Sequence, residues 1–283
     1  WIETLIQLKT LNLASNQITE IEGLERFIKL EELDLNSNKI SEIKGLETLI
    51  NLKKLYLWGN QISEVKRIES LTNLEDIDLS SNKITEIIGI YAIKNLKKLT
   101  LHDNQISKFK GLNWLLNLEE LDLSSNEISE IKGLISLKNM KKLILYNNQI
   151  AEIKGFEELI NLKELDLSSN QITEIKGIES LLNLQILNLN NNKIKDIKGL
   201  ELLTNLWRLE FKSNQISEIK CLSTLINLEV LDLDFNQIKE IKKLESCNRI
   251  RYFSILGNEI SEIKGFEVLT NLDYLNLREN QIF

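Results

Sequence analysis

Residues 30–51 read LEELDLNSNKISEIKGLETLIN, and this pattern of 22 residues recurs along the whole chain without an insertion. The copies begin at Leu8, Leu30, Leu52, Leu74, Leu96, Leu118, Met140, Leu162, Leu184, Leu206, Leu228, Ile250 and Leu272, and the last copy is truncated. We number the residues of each copy as positions 1 to 22. A fixed period of this length indicates a stack of similar coils, each of which contacts its neighbours.

The Leu-x-Leu segment at positions 4 to 6 predicts a short strand. In Leu33-Asp34-Leu35 two inward leucines flank one outward polar side chain, as the alternation of side chains along a strand requires. Stacked copies therefore predict a parallel sheet, and tighter spacing in the sheet than behind it predicts that the sheet lines a concave face. The apolar residues at positions 11, 14, 17 and 20 recur every three residues, which favours 3₁₀-like or irregular turns.

Two positions of the copy predict backbone roles. Position 9 is asparagine in all thirteen copies, from Asn16 to Asn280, and its amide can donate to and accept from the backbone of its own coil and the next. Position 16 is mostly glycine, which predicts a backbone conformation open chiefly to glycine. Arg67, Cys221 and Lys243 depart from that rule.

The uninterrupted period predicts one repeat array over residues 1–283. Twelve full repeats run from 8 to 271, and partial repeats occupy 1–7 and 272–283. Because stacked arrays need polar caps at their ends, we expect either a fragment of a longer protein or an array whose ends pair with something.

Composition narrows the class of protein. The formal charge is −7, so nucleic acid is a poor partner, and no apolar run approaches the roughly 18 residues of a membrane span. Residues 1–7 do not combine a basic start with a long apolar stretch, as a secretory signal peptide would.

The two cysteines do not indicate a disulfide. Cys221 replaces the repeat glycine and Cys247 replaces a core leucine, so we expect both to be ordinary thiols. We expect a cytoplasmic protein, with the nucleus as the alternative compartment, and no membrane partner.

No motif indicates catalysis or metal binding. The patterns GxSxG, HExxH, GxGxxG and the P-loop do not occur, and no Ser or Cys is placed to form a triad with His102, the sole histidine. Aspartates at position 5 recur in alternate coils, about 10 Å apart by strand spacing, which is too far to share one ion. We therefore expect no enzyme, no cofactor and no metal, although Glu210, Asp232 and Asp234 lie closer together.

The outward strand positions carry the candidate binding surface. At position 3 the charge alternates over seven copies, which predicts cross-strand pairs: Glu32, Lys54, Asp76, Lys98, Glu120, Lys142 and Glu164. Aromatic side chains among carboxylates have the character of protein hot spots. From Leu184 onward position 3 becomes largely apolar, and with Phe235 and Leu256 beside it this row predicts an exposed apolar patch. The candidate protein-binding residues are Asp34, Tyr56, Trp58, Asp78, His102, Asp122, Ile144, Tyr146, Asp166, Glu210, Val230, Asp232, Phe235, Tyr252, Leu256 and Tyr274.

The half-repeat ISEIKGLETLIN at residues 40–51 resembles the 22-residue class of leucine-rich repeats, and the likeness covers the entire chain. That class includes the leucine-rich repeat regulatory subunit of type-1 protein phosphatase. The resemblance implies a non-catalytic intracellular scaffold that grips a protein, for that subunit a type-1 phosphatase, through acidic and aromatic residues of its concave sheet. Two departures stand out: residues 272–283 are a truncated repeat where that subunit has a dedicated cap, and bacterial internalins carry proline in the turn where this chain has glycine.

These observations predict a right-handed α/β leucine-rich repeat solenoid that binds a folded protein on its concave face. Two alternatives stay open. The array could be the sensor or spacer domain of a larger protein that contains a GTPase or another enzyme, or it could be an engineered or self-associating repeat array.

Overall fold

The computed structural model describes residues 5–108, 111–220 and 222–283. Each coil contributes one strand of three residues, and the only helix in these ranges is a 3₁₀ turn at Leu112–Trp114. The strands are β1 Thr10–Asn12, β2 Glu32–Asp34, β3 Lys54–Tyr56, β4 Asp76–Asp78, β5 Lys98–Thr100, β6 Glu120–Asp122, β7 Lys142–Ile144, β8 Glu164–Asp166, β9 Ile186–Asn188, β10 Arg208–Glu210, β11 Val230–Asp232, β12 Tyr252–Ser254 and β13 Tyr274–Asn276.

The chain forms two compact units, which meet in sequence between Met140 and Lys141. Unit 1 holds β1 to β6 and unit 2 holds β7 to β13, and within each unit the strands form a parallel sheet in chain order. Paired residues are 22 apart, as for Leu33 with Leu55 in unit 1 and Leu209 with Leu231 in unit 2. The predicted parallel sheet and the solenoid of 22-residue coils are confirmed.

Seven apolar positions form the core in the inner coils that the structure describes, whereas near the C-terminal end Ile263 at position 14 is 64% exposed. Positions 1, 4 and 6 belong to the strand layer, and positions 11, 14, 17 and 20 belong to the turns behind it. Backbone bonds from residue i to i−3 close those turns, for example Phe27 N to Leu24 O at 3.0 Å and Leu30 N to Phe27 O at 2.9 Å. Because burial of one such side chain contributes about 1.5–3 kcal/mol, these rows hold neighbouring coils together.

The asparagine at position 9 ties each coil to its neighbour. Asn82 Nδ2 donates to Leu79 O at 3.1 Å and Ser80 O at 3.0 Å in its own coil, and to Leu57 O at 3.0 Å in the coil before it. Its Oδ1 accepts from Ile62 N at 2.9 Å, again in the preceding coil. The predicted backbone role is confirmed, but the neighbouring coil that the amide reaches is the preceding one and not the next.

A second asparagine row, at position 22, was not predicted. Asn51 Nδ2 donates to Ile28 O at 2.7 Å, and Asn183 Nδ2 donates to Ile160 O at 2.9 Å, in each case bonding the preceding coil. These amides satisfy carbonyls at the end of the turn layer. Each coil is therefore stitched to the one before it at two separate points.

The backbone at position 16 is left-handed, as the glycines predict. At Gly45, with φ of 81°, an added Cβ would clash with the carbonyl oxygen of Ile21 in the preceding coil. Arg67 and Lys243 hold the same left-handed region with φ of 61° and 63°. The third departure, Cys221, lies outside the described residues.

Cys247 is a buried thiol in a core row. Its Sγ contacts Leu222 O at 3.4 Å, and burial raises the pKa of the thiol to about 11. A thiol that stays protonated in this way is a poor nucleophile.

Candidate functional site on the strand face

The strand face consists of the side chains at positions 3, 5 and 7 of each coil, which point away from the core. In β2, Glu32 and Asp34 are partly exposed, whereas Leu33 between them is fully buried. Fifteen of the sixteen residues predicted to bind protein occupy these positions. The sixteenth, Phe235, lies at position 8 in the turn that follows β11.

The charges at position 3 alternate across neighbouring strands as predicted. Glu32 lies opposite Lys54 in the register of β2 and β3, and their charged groups are 3.3 Å apart. In unit 2, Lys142 and Glu164 form the same pair at 2.9 Å. Such pairs specify the register and largely neutralise position 3 within each unit.

A second charge row, at position 2, was not predicted. Glu31 lies between Lys53 at 2.7 Å and Lys9 at 2.9 Å, and hydrogen bonds from these lysines lower the pKa of its carboxyl to about 2. Lys97 and Glu75 pair at 2.7 Å in the same row. The signal was available in the sequence, because position 2 alternates in sign over the seven copies from Lys9 to Lys141.

The aspartates at position 5 close the turn after their strands. Asp78 Oδ1 accepts from Ser80 N at 2.9 Å and from Ser80 Oγ at 2.6 Å. Asp122 does the same with Ser124, at 2.9 and 2.6 Å. The recurring Asp-Leu-Ser triplet could have revealed this role, which resembles the Asx turn. These carboxylates thus have a structural function in addition to the charge they place on the strand face.

The strand face of unit 1 alternates between two kinds of coil. Coils with β4 and β6 carry carboxylates at positions 3 and 5 and a serine at position 7. Coils with β3 and β5 carry a lysine at position 3 and a ring at position 7, namely Trp58 and His102. Trp58 is 41% exposed and His102 is half-buried, whereas Ser80 in the coil between them is fully buried. Rings therefore stand above the strand face in alternate coils.

Tyr56 belongs to this surface but is turned toward a neighbouring strand. Burial, together with the nearby carboxylates of Asp76 and Glu32, raises the pKa of the Tyr56 hydroxyl to about 12. Desolvation also raises the pKa of the Asp76 carboxyl. Tyr56 thus lies in an acidic environment that keeps its hydroxyl protonated.

The strand face of unit 2 becomes apolar at position 3 of β11 to β13. Tyr252 and Tyr274 stack with their ring centroids 4.6 Å apart and an interplanar angle of 5°, and Val230 precedes them in the same row. Arg208 in β10 forms an ion pair with Glu210 at 2.5 Å. Tyr252 and Tyr274 begin their strands, whereas Leu256 and Phe235 follow the ends of theirs, so the predicted apolar residues lie at two ends of the strand face.

Phe235 occupies a strained backbone position. Its φ is 52°, in the left-handed region where other coils place Ser, Asn, Asp, Glu or Gly, and that region costs an ordinary residue about 1–2 kcal/mol. The ring lies over Gly257, where an added Cβ would be 2.6 Å from Phe235 Cδ1, and Lys212 Nζ is 5.5 Å from the ring centroid. The ring is 41% exposed. Strain of this kind often marks a functional site.

Asp232 and Asp234 differ although they are close in sequence. Burial, with contributions from Asp234 and Glu210, raises the pKa of Asp232 to about 6. Asp234 is buried, and its Oδ1 accepts from Ser254 Oγ at 2.5 Å and from Leu256 N at 2.8 Å. Within the described part of the chain, no group of three His, Cys, Asp or Glu side chains is placed to hold a metal ion.

Among the described residues no helix has the length and apolarity that crossing a membrane requires.

The sequence and the fold of the chain are similar to those of known leucine-rich repeat proteins. The family model for leucine rich repeats in two copies matches residues 6–48, 50–91, 116–158 and 160–202. A leucine-rich repeat protein of Leptospira interrogans is 31% identical with a TM-score of 0.93, over 99% of this chain and 75% of that one. The internalin InlF of Listeria monocytogenes is 27% identical with a TM-score of 0.78, over 96% of this chain and 88% of that one.

A receptor structure is also similar. The plant peptide hormone receptor RGFR1, in complex with RGF2, is 25% identical with a TM-score of 0.74, and the match covers 99% of this chain and 53% of the receptor chain. No curated protein matches the chain significantly. Leucine-rich repeat solenoids typically serve as non-catalytic interaction scaffolds. The repeat matches span more than half of the residues, and the chain is therefore a member of the leucine-rich repeat family.

Proposed function

We propose that this chain is a non-catalytic scaffold that binds a folded protein on its strand face. The observation that carries the proposal is the exposure of large rings there: Trp58, Tyr146 and Tyr252 are 41%, 43% and 37% exposed. The solenoid does not need these rings, because the core of its inner coils is filled by the buried apolar rows. Exposed aromatic side chains among polar groups are typical of interaction surfaces.

Electrostatics supports aromatic anchors over charged ones. The lysines and glutamates of position 3 already pair across strands, as for Lys54 with Glu32 and Lys142 with Glu164. A partner would have to break these pairs to use them, and exposed ion pairs contribute little in either state. The rings, by contrast, have exposed area left to bury, and its burial is favourable without the loss of an ion pair.

For the partner we propose a type-1 protein phosphatase. This choice of partner rests on the sequence resemblance alone. The compartment expected from composition, the cytoplasm or the nucleus, belongs to the same proposal. The RGFR1 structure supports the general role, because a solenoid of similar fold is there in complex with RGF2.

The test is affinity capture from a lysate of the source organism on three forms of the immobilised full chain. The first is the wild type, and the second carries Trp58→Ala, Tyr146→Ala and Tyr252→Ala. The third carries Tyr91→Ala and Trp114→Ala, which remove rings that are 53% and 57% exposed but lie outside the strand face.

We expect the wild type and the third form to retain the same protein and the triple variant to lose it. For the purified partner, loss of one hot spot of 2 kcal/mol weakens the Kd by about thirtyfold. Equal capture by the triple variant would contradict the proposal. A purified type-1 phosphatase that does not bind the wild type would remove the phosphatase from it.

A further inference from the structure

The strand face of unit 1 has a period that its core lacks. The core repeats in every coil, whereas the strand face repeats in every second coil. Carboxylates at position 5 recur at Asp34, Asp78 and Asp122, and rings at position 7 recur half a period away at Trp58 and His102. Since neighbouring strands lie about 4.8 Å apart, the period of this surface is about 9.6 Å.

The period distinguishes between the conformations that a bound segment can adopt when it runs across the strands. A polyproline II helix places every third residue on the same side at about 9.3 Å. An extended β-strand places same-side residues about 6.7 Å apart, and an α-helix places residues i and i+7 about 10.5 Å apart. Over two periods, the difference between the spacing of same-side residues and the period of the surface is smallest for polyproline II. For the α-helix this difference is several times larger.

The charge of the surface sets the composition of that segment. Over two coils the charges at position 3 cancel, as for Glu32 with Lys54, and one carboxylate at position 5 is left over. One net negative charge per period calls for one positive charge per three residues of the segment. The rings of Trp58 and His102 stand between the carboxylates, where they can stack on proline rings.

The coil between the two rings provides room for such a segment. Ser80 is fully buried and its hydroxyl is bonded to Asp78 at 2.6 Å, so position 7 of that coil adds no bulk to the surface. Trp58 before it and His102 after it carry the bulk. The surface between the rings is therefore low, polar and acidic.

We propose that the partner contacts the strand face of unit 1 through a proline-rich segment in the polyproline II conformation, with a lysine or arginine at every third position. This inference rests on the proposed protein-binding function and names the chemistry of the segment that the surface recognises.

The test uses two labelled peptides of twelve residues and fluorescence anisotropy with the full chain. The first peptide repeats Pro-Pro-Lys four times, and the second has the same composition with its four lysines in two adjacent pairs. Length, charge and proline content are equal, so only the spacing of the lysines differs. We expect the first peptide to bind at least about tenfold more tightly, as for the loss of one charge-assisted contact.

A matched pair of variants locates the site. Asp78→Asn with Asp122→Asn removes two charges but keeps the turn acceptors, because Asn188 Oδ1 already accepts from Asn190 N at 3.0 Å in the same role. Asp196→Asn with Asp273→Asn removes two charges outside the strand face. We expect the first pair to weaken the Pro-Pro-Lys peptide by about tenfold or more and the second pair to leave its affinity unchanged.

The inference is overturned if the Pro-Pro-Lys peptide does not bind, if both peptides bind equally, or if both pairs of variants behave alike. These outcomes are separate from failure of the proposed function. The wild type could capture a protein that the triple ring variant does not capture, while the Pro-Pro-Lys peptide fails to bind. That result would reject the proline-rich segment and support the scaffold function.

Discussion

The strand face of β2 to β6 and that of β9 to β13 differ sharply although the coils beneath them are built alike. In the first region lysines and carboxylates alternate and rings stand in every second coil, whereas in the second region position 3 carries Val230 and the stacked Tyr252 and Tyr274. The inner coils of both regions share the buried strand-layer rows and the asparagines of position 9. The difference teaches that the solenoid constrains its inward positions and leaves the chemistry of its strand face free.

The largest loss of stability is expected for the asparagines of position 9, which should contribute equally in the two regions. Asn82→Ala in unit 1 and Asn192→Ala in unit 2 each remove three donated bonds and one accepted bond, since Asn192 bonds Leu167 O, Leu189 O, Asn190 O and Ile172 N as Asn82 bonds its own neighbours. Buried groups left unpaired cost about 1–3 kcal/mol each, and we expect a loss of about 3 kcal/mol in either unit.

Urea unfolding of both variants checks this expectation. The exposed Asn113→Ala and Gln185→Ala, which remove amides that do not belong to the position 9 row, provide the controls. If one asparagine proves far more costly than the other, the coils of the two units are not equivalent and the comparison fails.

The next effect belongs to the second region alone. Asp232→Asn should stabilise the protein above pH 6 by on the order of 1 kcal/mol, after allowance for partial exposure. The folded-state pKa of about 6 lies above the ordinary value of 3.8, so the charged form costs stability above pH 6 and that cost disappears as pH falls toward 3.8. Asparagine keeps the turn acceptor, as Asn188 does.

The measurement is the melting temperature of the wild type and Asp232→Asn between pH 4 and pH 8. We expect the two curves to meet near pH 4, to diverge as pH rises toward 6, and to keep a constant separation above pH 6. A gain that does not change with pH would show that burial of the charge is not its source.

The smallest effects concern ion pairs. Lys97→Met breaks an exposed pair in unit 1, and we expect no measurable change in the urea midpoint, because screening and side-chain entropy offset such pairs. Arg208→Met in unit 2 leaves Glu210, which is only 13% exposed, without its guanidinium. We expect a loss of about 1 kcal/mol there. If Lys97→Met and Arg208→Met have equal urea midpoints, the ion pairs of the two regions do not differ in their contribution to stability.

Much of the fold could be predicted because periodicity is visible in the letters themselves. The alternation of apolar and polar residues in Leu33-Asp34-Leu35 predicts a strand. The asparagine at position 9 predicts a turn whose backbone bonds to an amide. The direction in which Asn82 reaches could not be predicted, because an amide has the same donors and acceptors toward either neighbour. That information lies in the winding of the chain.

The candidate site was predicted by position but not by contact. The sequence places Asp78 on the strand face, yet its bonds to Ser80 appear only once the turn is built. The strain at Phe235 could not be predicted, because serine occupies that position in many coils and does not by itself indicate a left-handed backbone. The stack of Tyr252 on Tyr274 depends on rotamers that periodicity does not specify.

The direction of the asparagine bonds has a consequence for synthesis on the ribosome. The amide of Asn82 reaches residues 20 and 25 positions earlier, so its partners have already left the exit tunnel when it emerges. Each newly made coil can therefore dock on a finished one without waiting for a distant part of the chain. Within each unit the solenoid is suited to fold from its first coil onward while translation continues.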